Sequence, residues 1–173
     1  QAKAAGGPVL EVCCGTGRVL IPSLEAGARI EGLDYDLDML DLCRVKARAR
    51  GLDPVLHHGD MRDFTLPGRY ALITIPFNSF LDNLTAEDQI ATLRCCRAHL
   101  ESNGRFMLSL FVPDTRKLLA NDGTLHPAHG AAVRSGDRSL QITESITSDR
   151  VEQRNRVHRV IERLDADGRV TET

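Results

Sequence analysis

No segment of this chain resembles a membrane span or a secretory signal. Its apolar runs fall well short of the roughly 20 residues that a transmembrane helix requires, and the N-terminus does not show a charged segment followed by an apolar one. Charge is nearly balanced, since 22 Lys and Arg oppose 24 Asp and Glu for a net charge of −2. This balance argues against a strongly basic nucleic-acid-binding protein, although it does not exclude a local basic patch.

The five cysteines form neither a disulfide framework nor a metal-binding pattern. Four of them are adjacent pairs, Cys13-Cys14 and Cys95-Cys96, and neighbouring residues are too close together for ordinary disulfide geometry. Cys43 makes the count odd, and no Cys-x-x-Cys pair indicates a zinc or redox site. We therefore expect reduced thiols, a cytoplasmic location and no bound metal.

The chain has 173 residues, 42% of them hydrophobic, which suits one domain with a substantial core. Short apolar segments alternate with amphipathic ones through residues 8–112, a pattern typical of βα units around a parallel sheet. Strands are predicted at 8–13, 29–34, 55–57, 70–75 and 105–112, and helices at 18–26, 36–50 and 85–100. Strict alternation of this kind predicts a doubly wound α/β sheet.

The last third of the sequence has a different pattern. A segment rich in Gly, His and Asp is predicted to be a loop, and strand-like runs follow it at 139–147, 151–164 and 169–171. Ser148-Asp149 and Asp167-Gly168 are predicted turns between these strands. We therefore expect an antiparallel β meander appended to the α/β core.

The segment VLEVCCGTG, residues 9–17, carries the strongest indication of a ligand site. A strand that leads through Gly15 and Gly17 into a helix brings the backbone close to a ligand and directs free N–H groups at it. A dinucleotide GxGxxG motif would require Gly or Ala where Leu20 stands, and no P-loop lysine motif is present. The segment therefore argues against an NAD or FAD phosphate cradle.

Two carboxylates extend this site. Asp34 ends the second predicted strand, where a carboxylate can accept hydrogen bonds from both ribose hydroxyls. Asp60 follows the third strand, where it could accept a hydrogen bond from an adenine amino group. Together with the glycine turn they predict an adenosine-containing ligand that need not carry a pyrophosphate.

The runs EVCCGTGR, GLDYDLDML, HGDMRDF and YALITIPFNSF resemble, in order and spacing, the class I S-adenosylmethionine-dependent methyltransferases. They resemble in particular the subgroup that includes small-molecule and sugar N-methyltransferases, over roughly residues 8–120. The resemblance implies a Rossmann-like, mostly parallel sheet of order 3-2-1-4-5 and S-adenosyl-L-methionine as cofactor. It also implies methyl transfer to an N, O or C nucleophile of a small molecule. Residues 1–137 would form the cofactor-binding core, and residues 138–173 a substrate-side meander.

The resemblance assigns site residues by position. Glu11 and the glycine loop would hold the methionine moiety, and Ile75 would face the sulfonium. The implied cofactor-binding residues are Glu11, Cys13, Gly15, Gly17, Asp34, Tyr35, Met39, Asp60, Met61 and Ile75. The implied substrate-binding residues are Phe77 and Asn78.

Several assignments have alternatives. Tyr35 and Met39 could equally belong to a helix core rather than flank an adenine, and Asn78 could cap the next segment. No catalytic residue is identified, because a general base is often optional in this chemistry. His126 and His129 are candidate bases, but two His in a polar loop are more often solvated than catalytic or metal-binding.

The chain also departs from the family pattern. Cys13 replaces the first glycine of the usual motif, and Ala71 stands where an acidic residue is common. Residues 75–78 do not form the NPPY-type motif, which argues against a DNA, RNA or release-factor substrate. The chain starts without Met, and we expect it to be a fragment lacking the N-terminal helix and the last strands. An incomplete sheet would expose a strand edge and so allow a homodimer.

Two other functions stay open at this point. One is a non-catalytic S-adenosylmethionine-binding domain that serves as a sensor or scaffold. The other, an NAD-dependent oxidoreductase, is disfavoured by Leu20 and by the absence of a Tyr-x-x-x-Lys motif.

Overall fold

The computed structural model describes residues 6–112, 114, 116, 123–135, 138–149 and 151–173, with only the backbone described for 129–135 and 138. The chain divides into two compact units, Gln1–Phe111 and Val112–Thr173. No helix of the described residues is long and apolar enough to cross a membrane.

The first unit is a five-stranded parallel sheet with helices. Its strands are β1 Val9–Val12, β2 Ile30–Asp34, β3 Leu56–His58, β4 Tyr70–Ile75 and β5 Leu100–Leu108. Its helices are α1 Leu20–Glu25, α2 Leu37–Arg48 and α3 Ala86–His99, with a 3-10 turn at Ser79–Asp82. The strand order β3-β2-β1-β4-β5 and the parallel pairing confirm the predicted fold class.

Apolar side chains on both faces of the sheet explain why helices cover both faces. All four residues of β1 are buried, as expected for a central parallel strand. One core cluster contains Leu10, Val12, Leu33, Phe64, Tyr70, Ile73, Ile75, Phe80 and Cys96. The other contains Val9, Leu20, Ile21, Ala28, Ile30, Cys43, Ala47 and Leu72. The sheet is therefore doubly wound.

The predicted caps of α2 and α3 are confirmed, whereas α1 starts at Leu20, two residues later than predicted. The Asp36 side chain caps α2, because its Oδ1 accepts hydrogen bonds from the backbone N–H groups of Asp38 and Met39 at 2.9 and 3.1 Å. Thr85 caps α3 in the same way, because its hydroxyl oxygen accepts from the Asp88 N–H at 3.1 Å. Both caps fix the residue at which the helix begins.

Strand β5 begins earlier than predicted. Tyr70 pairs with Leu100 and Leu72 pairs with Arg105, so β5 contains a bulge at residues 101–104. A Cβ atom on Gly104 would lie 2.8 Å from the carbonyl oxygen of Tyr70. Gly104 is therefore required by close backbone contact within the sheet and does not mark the end of α3.

The second unit is a four-stranded antiparallel sheet, which confirms the predicted meander. Its strands are β6 His126–Ser135, β7 Arg138–Asp149, β8 Arg154–Leu164 and β9 Val170–Glu172, paired in sequence order. The prediction of a loop over the segment of β6 was wrong, because this segment pairs with β7 at both of its ends, with an irregularity between Pro127 and Ala132. The sheet therefore starts before residue 138, while the division of function at 137/138 stays a prediction.

Candidate functional site

The predicted ligand-binding segments all follow carboxyl ends of strands in the parallel sheet. Parallel strands place these ends at one edge, and the loop after β1 and the turn after β4 lie on neighbouring strands. Between β1 and β4 the strand order reverses direction. Open α/β sheets bind ligands at this kind of switch point.

The loop after β1 requires glycine at two positions for different reasons. Gly17 has a φ of 82°, and a Cβ there would lie 2.5 Å from Sγ of Cys43. Gly15 has a φ of 52°, and a Cβ there would meet nothing within 4 Å. Gly17 therefore allows the loop to pack against α2, while Gly15 leaves open space in which a ligand can approach the backbone.

Asp34, at the end of β2, ties two loops of this edge together. Its Oδ2 accepts a hydrogen bond from the N–H of Gly15 at 2.7 Å, and its Oδ1 accepts from the N–H of Asp36 at 3.0 Å. A carboxylate has about four acceptor sites, so Asp34 can still accept from two hydroxyls. The structure thus adds a loop-organising role to the predicted ribose contact.

Glu11, in β1, is a buried carboxyl group that lacks a full set of partners. The residue is only 1% exposed, and its Oε2 has no hydrogen-bond partner. Burial raises the pKa of Glu11 to about 8; the Arg18 charge opposes this shift and the Asp34 charge adds to it. A buried, unpaired carboxyl group at the foot of the glycine loop fits a ligand that carries a positive charge.

We expect the Glu11 carboxyl to make folding stability depend on pH. The folded chain keeps a proton up to a pKa of about 8, whereas an ordinary carboxyl of this type loses it near 4.5. The free energy of unfolding should therefore fall as pH rises through this window, by up to about 1.4 kcal/mol per pH unit. Urea unfolding from pH 5 to 8 should show this slope in the wild type and a flatter one in Glu11→Gln. Equal slopes would contradict the assignment.

On the side of β2 and β3, Tyr35 and His58 form an exposed aromatic pair. Tyr35 is 72% exposed, and the two ring centroids lie 6.1 Å apart. Nε2 of His58 lies 2.9 Å from the carbonyl oxygen of Tyr35, so this nitrogen must carry the proton. Met39 is also exposed. Neither Tyr35 nor Met39 belongs to the core, so the helix-core alternative is wrong for both residues. Their place beside an adenine stays a prediction.

Asp60 and Met61 follow β3, as predicted, but both side chains are already engaged. The Asp60 carboxylate accepts hydrogen bonds from the Arg62 guanidinium, the shortest at 2.6 Å, and these bonds lower the pKa of Asp60. Sδ of Met61 lies 3.7 Å from Sγ of Cys13 and accepts from Nδ2 of Asn83 at 3.5 Å. Asp60 is therefore ionised and fixed in place, while Met61 packs against the core.

The turn after β4 is strained. Phe77 and Asn78 have φ values of 66° and 69°, which cost non-glycine residues about 1–2 kcal/mol each. The Phe77 ring is 62% exposed, and the guanidinium carbon of Arg18 lies 3.2 Å from the ring centroid. The Asn78 side chain does not cap the following 3-10 turn. The Ile75 side chain is fully buried in the core, and its role towards a ligand stays a prediction.

The candidate histidines lie in the second unit. His126 is the first residue of β6, and the side chain of His129 lies outside the described residues. Within the described part of the chain, no group of three or more His, Cys, Asp and Glu residues could hold a metal ion. The roles proposed for both histidines stay untested.

The sequence analysis did not assign a role to Arg18 or His58. Arg18 directly follows Gly17, so its position beside the loop could have indicated it. The contact between Arg18 and Phe77 spans two loops and has no sequence signal of its own.

The fold is that of a class I S-adenosylmethionine-dependent methyltransferase. A family model described as methyltransferase domain matches residues 9–104, more than half of the chain. The chain belongs to the methyltransferase domain family.

Curated relatives are similar over part of their length. The chain is 40% identical over 103 residues to a dTDP-3-amino-3,6-dideoxy-alpha-D-glucopyranose N,N-dimethyltransferase from Streptomyces fradiae, covering 59% of this chain and 38% of the relative. It is 31% identical over 149 residues to the cypemycin N-terminal methyltransferase from a Streptomyces species, covering 86% of this chain and 57% of the relative. The chain thus spans between 38% and 57% of the length of these relatives.

Solved structures with the same fold include two methyltransferases. The CcbJ methyltransferase from Streptomyces caelestis superposes with a TM-score of 0.77 at 29% identity, over 98% of this chain and 65% of that one. SAM-bound CalS10, an amino pentose methyltransferase from Micromonospora echinaspora, superposes with a TM-score of 0.72 at 27% identity, over 96% and 67%.

Proposed function

We propose that the protein transfers a methyl group from S-adenosylmethionine to a nitrogen atom of a small molecule. The observation that carries this proposal is the buried Glu11 carboxyl with its unpartnered Oε2, beside a glycine loop that is open at Gly15 and tied to Asp34. The named methyl transfers of the curated relatives, N,N-dimethyl and N-terminal, support a nitrogen acceptor. The relatives described above are each named for methyl transfer, so none of them supports a binding-only domain.

In this proposal each residue at this edge contacts one part of the cofactor. Glu11 would bind the positively charged amino group, and the open face of Gly15 would admit the amino-acid chain. Asp34 would accept from the ribose hydroxyls, and the exposed ring of Tyr35 would stack on the adenine. Asp60 would accept from the adenine amino group, and the bonds from Arg62 support an ionised carboxylate there.

The chain's own contribution to catalysis would be to align the nucleophile of the acceptor with the methyl group of the cofactor. When bound, S-adenosylmethionine supplies a methyl group activated by a positively charged sulfur. The turn at Phe77 and Asn78 lies at the switch point of the sheet, where it could orient the nucleophile of the acceptor. Positioning of this kind can contribute roughly 7–11 kcal/mol to lowering the barrier, so a dedicated general base is not required.

Calorimetric titration with S-adenosylhomocysteine, with NADH as the control ligand, tests the proposed cofactor. We expect saturable binding of S-adenosylhomocysteine alone. Binding of NADH instead would contradict the proposal. Methyl transfer itself is to be tested with the full-length protein and a panel of small-molecule amines, where cofactor binding without turnover of any amine would favour a sensor.

Tyrosine fluorescence can report where the adenine lies, because the chain has two Tyr and no Trp. Tyr70 is buried, and its hydroxyl donates to Oε2 of Glu31 at 2.9 Å. Because Tyr35 is the other tyrosine, Tyr70→Phe leaves Tyr35 as the single emitter. Addition of S-adenosylhomocysteine to this variant should quench the emission by stacking on Tyr35. Saturable binding by calorimetry without any change in emission would place the adenine elsewhere.

The cysteines and the edge of the parallel sheet bear on the location of the protein and on pairing between chains. We place the protein in the cytoplasm because its five cysteines are free thiols. Pairing of two chains into a homodimer, through the edge strand β5 of the parallel sheet, stays a prediction. Size-exclusion chromatography with light scattering would decide it.

A further inference from the structure

Arg18 occupies an unusual position in this edge of the sheet. It directly follows the glycine loop after β1, yet its guanidinium stacks on the ring of Phe77 in the turn after β4, with 3.2 Å between the guanidinium carbon and the ring centroid. Arg18 itself is exposed. Among the residues that the structure describes, no carboxylate forms an ion pair with it. The stack therefore holds an exposed cation that no ion pair engages among the described residues.

The turn that carries Phe77 keeps a costly conformation. Two successive residues, Phe77 and Asn78, are in the left-handed region. The N–H of Asn78 donates to the carbonyl of Ser109 at 3.1 Å, and the N–H of Ser109 donates to the carbonyl of Ile75 at 3.1 Å. These bonds hold the strained turn and keep the Phe77 ring outside the core, beneath Arg18. Strain that surrounding structure maintains is characteristic of functional sites.

A guanidinium stacked on an aromatic ring keeps its N–H groups free along its edge. Those groups match the two oxygens of a carboxylate or a phosphate, and the stack limits the conformations that Arg18 must lose on binding. Nearby, the charge of Arg18 acts on Glu11. The glycine loop is thus preceded along the chain by a buried carboxyl group, Glu11, and followed by a cation, Arg18.

We propose that Arg18 binds an oxyanion of a ligand and that Phe77 positions Arg18 for this contact. The inference rests on the proposed function. It adds that the ligand carries a negatively charged group beside the glycine loop. The oxyanion is either the carboxylate of the amino-acid part of the cofactor or an anionic group of the methyl acceptor. Both sources have the same chemistry, and ligand comparison separates them.

The test compares wild type with Arg18→Met, which removes the charge and keeps an unbranched side chain. Three ligands are titrated by calorimetry: S-adenosylhomocysteine, 5′-methylthioadenosine, which lacks the amino-acid part, and thymidine 5′-diphosphate as an anionic acceptor probe. For a cofactor carboxylate, the variant should lose about 10- to 100-fold in affinity for S-adenosylhomocysteine alone. For an acceptor anion, a similar loss should appear for thymidine 5′-diphosphate alone.

Two results would overturn the inference while leaving the proposed function in place. One is unchanged affinity for every ligand that the wild type binds. The other is an equal loss for S-adenosylhomocysteine and 5′-methylthioadenosine, which would indicate general damage to the site. If the wild type binds neither adenosyl ligand, the proposed function fails, and this inference fails with it.

Phe77 is tested as a positioning residue by Phe77→Leu, which keeps an apolar side chain and removes the ring. We expect a smaller loss, about 3- to 10-fold, on the same ligand that Arg18→Met affects. The double variant should lose no more than Arg18→Met alone, and Phe77→Tyr should restore affinity. Arg44→Met, an exposed arginine of α2 paired with Asp41, is the matched control and should not change binding. Additive losses from Arg18 and Phe77 would refute the positioning role.

Discussion

Asp34→Ala is expected to lower the affinity for S-adenosylhomocysteine by about 100-fold. Two hydrogen bonds from ribose hydroxyls to a carboxylate contribute on the order of 3 kcal/mol together, and about 1.4 kcal/mol corresponds to tenfold. The substitution also removes the acceptor of the Gly15 N–H, which is bound at 2.7 Å, so the glycine loop loses its anchor. Calorimetric titration measures the change.

The structural and the ribose-binding roles of Asp34 can be separated by changing the ligand. The wild type should bind 2′-deoxy-5′-methylthioadenosine more weakly than 5′-methylthioadenosine, because the 2′-hydroxyl is missing. In Asp34→Asn the difference in affinity between these two ligands should be much smaller, because the partner of that hydroxyl is impaired. Equal losses in both proteins would refute the ribose contact. Asp41→Ala changes an exposed carboxylate of α2 and should leave both affinities unchanged.

Gly17→Ala is expected to destabilise the first unit by about 3 kcal/mol. The added Cβ would lie 2.5 Å from Sγ of Cys43 and 2.8 Å from Cδ1 of Ile21, and overpacking of this kind typically costs about 1–3 kcal/mol. The φ of 82° adds about 1–2 kcal/mol for a residue with a Cβ. All helices of six or more residues that the structure describes belong to this unit. Urea unfolding followed by helical ellipticity therefore measures the free energy of unfolding of the first unit.

Gly15→Ala is the matched comparison for Gly17→Ala. Its φ is also positive, at 52°, but a Cβ there would meet nothing within 4 Å. We expect only the conformational cost of about 1–2 kcal/mol, together with a clear loss of affinity for S-adenosylhomocysteine, because the methyl group would occupy the open face of the loop. Cys43→Ala should recover part of the stability lost in Gly17→Ala and none of that lost in Gly15→Ala. Equal destabilisation by the two glycine substitutions would contradict the different roles of the two positions.

The parallel sheet could be predicted because its signals are local. Asp36 and Thr85 mark helix starts through hydrogen bonds that span only two or three residues. The apolar run of β4 indicates a strand buried on both faces, and the structure places it at the predicted bounds. The glycine loop, Asp34 and Asp60 each follow a strand, and consecutive parallel strands bring such residues to one edge.

Pairing between distant segments was not predictable in the same way. Strand β6 contains Pro127 and Gly130 and lacks regular alternation, and its strand conformation depends on pairing with β7, as in Val133 opposite Leu140. The start of β5 depends on Leu100 opposite Tyr70. Asn103-Gly104 is as typical of a helix end as of a bulge, and only the partner strand distinguishes them.

The sequence by itself determined the class of fold and the family, because these follow from short motifs in a fixed order along βα units. It also predicted the positions at which a cofactor would be held. Only the tertiary structure decided which of those residues are exposed, which are engaged by neighbours and which keep a buried polar atom without a hydrogen-bond partner. The Tyr35 ring lies outside the core, the Asp34 carboxylate accepts from the N–H of Gly15, and the Glu11 carboxyl is buried without a partner for Oε2. Arg18 stacks on Phe77 from another loop. Burial and contacts of this kind arise from segments far apart in the chain, so no local pattern specifies them.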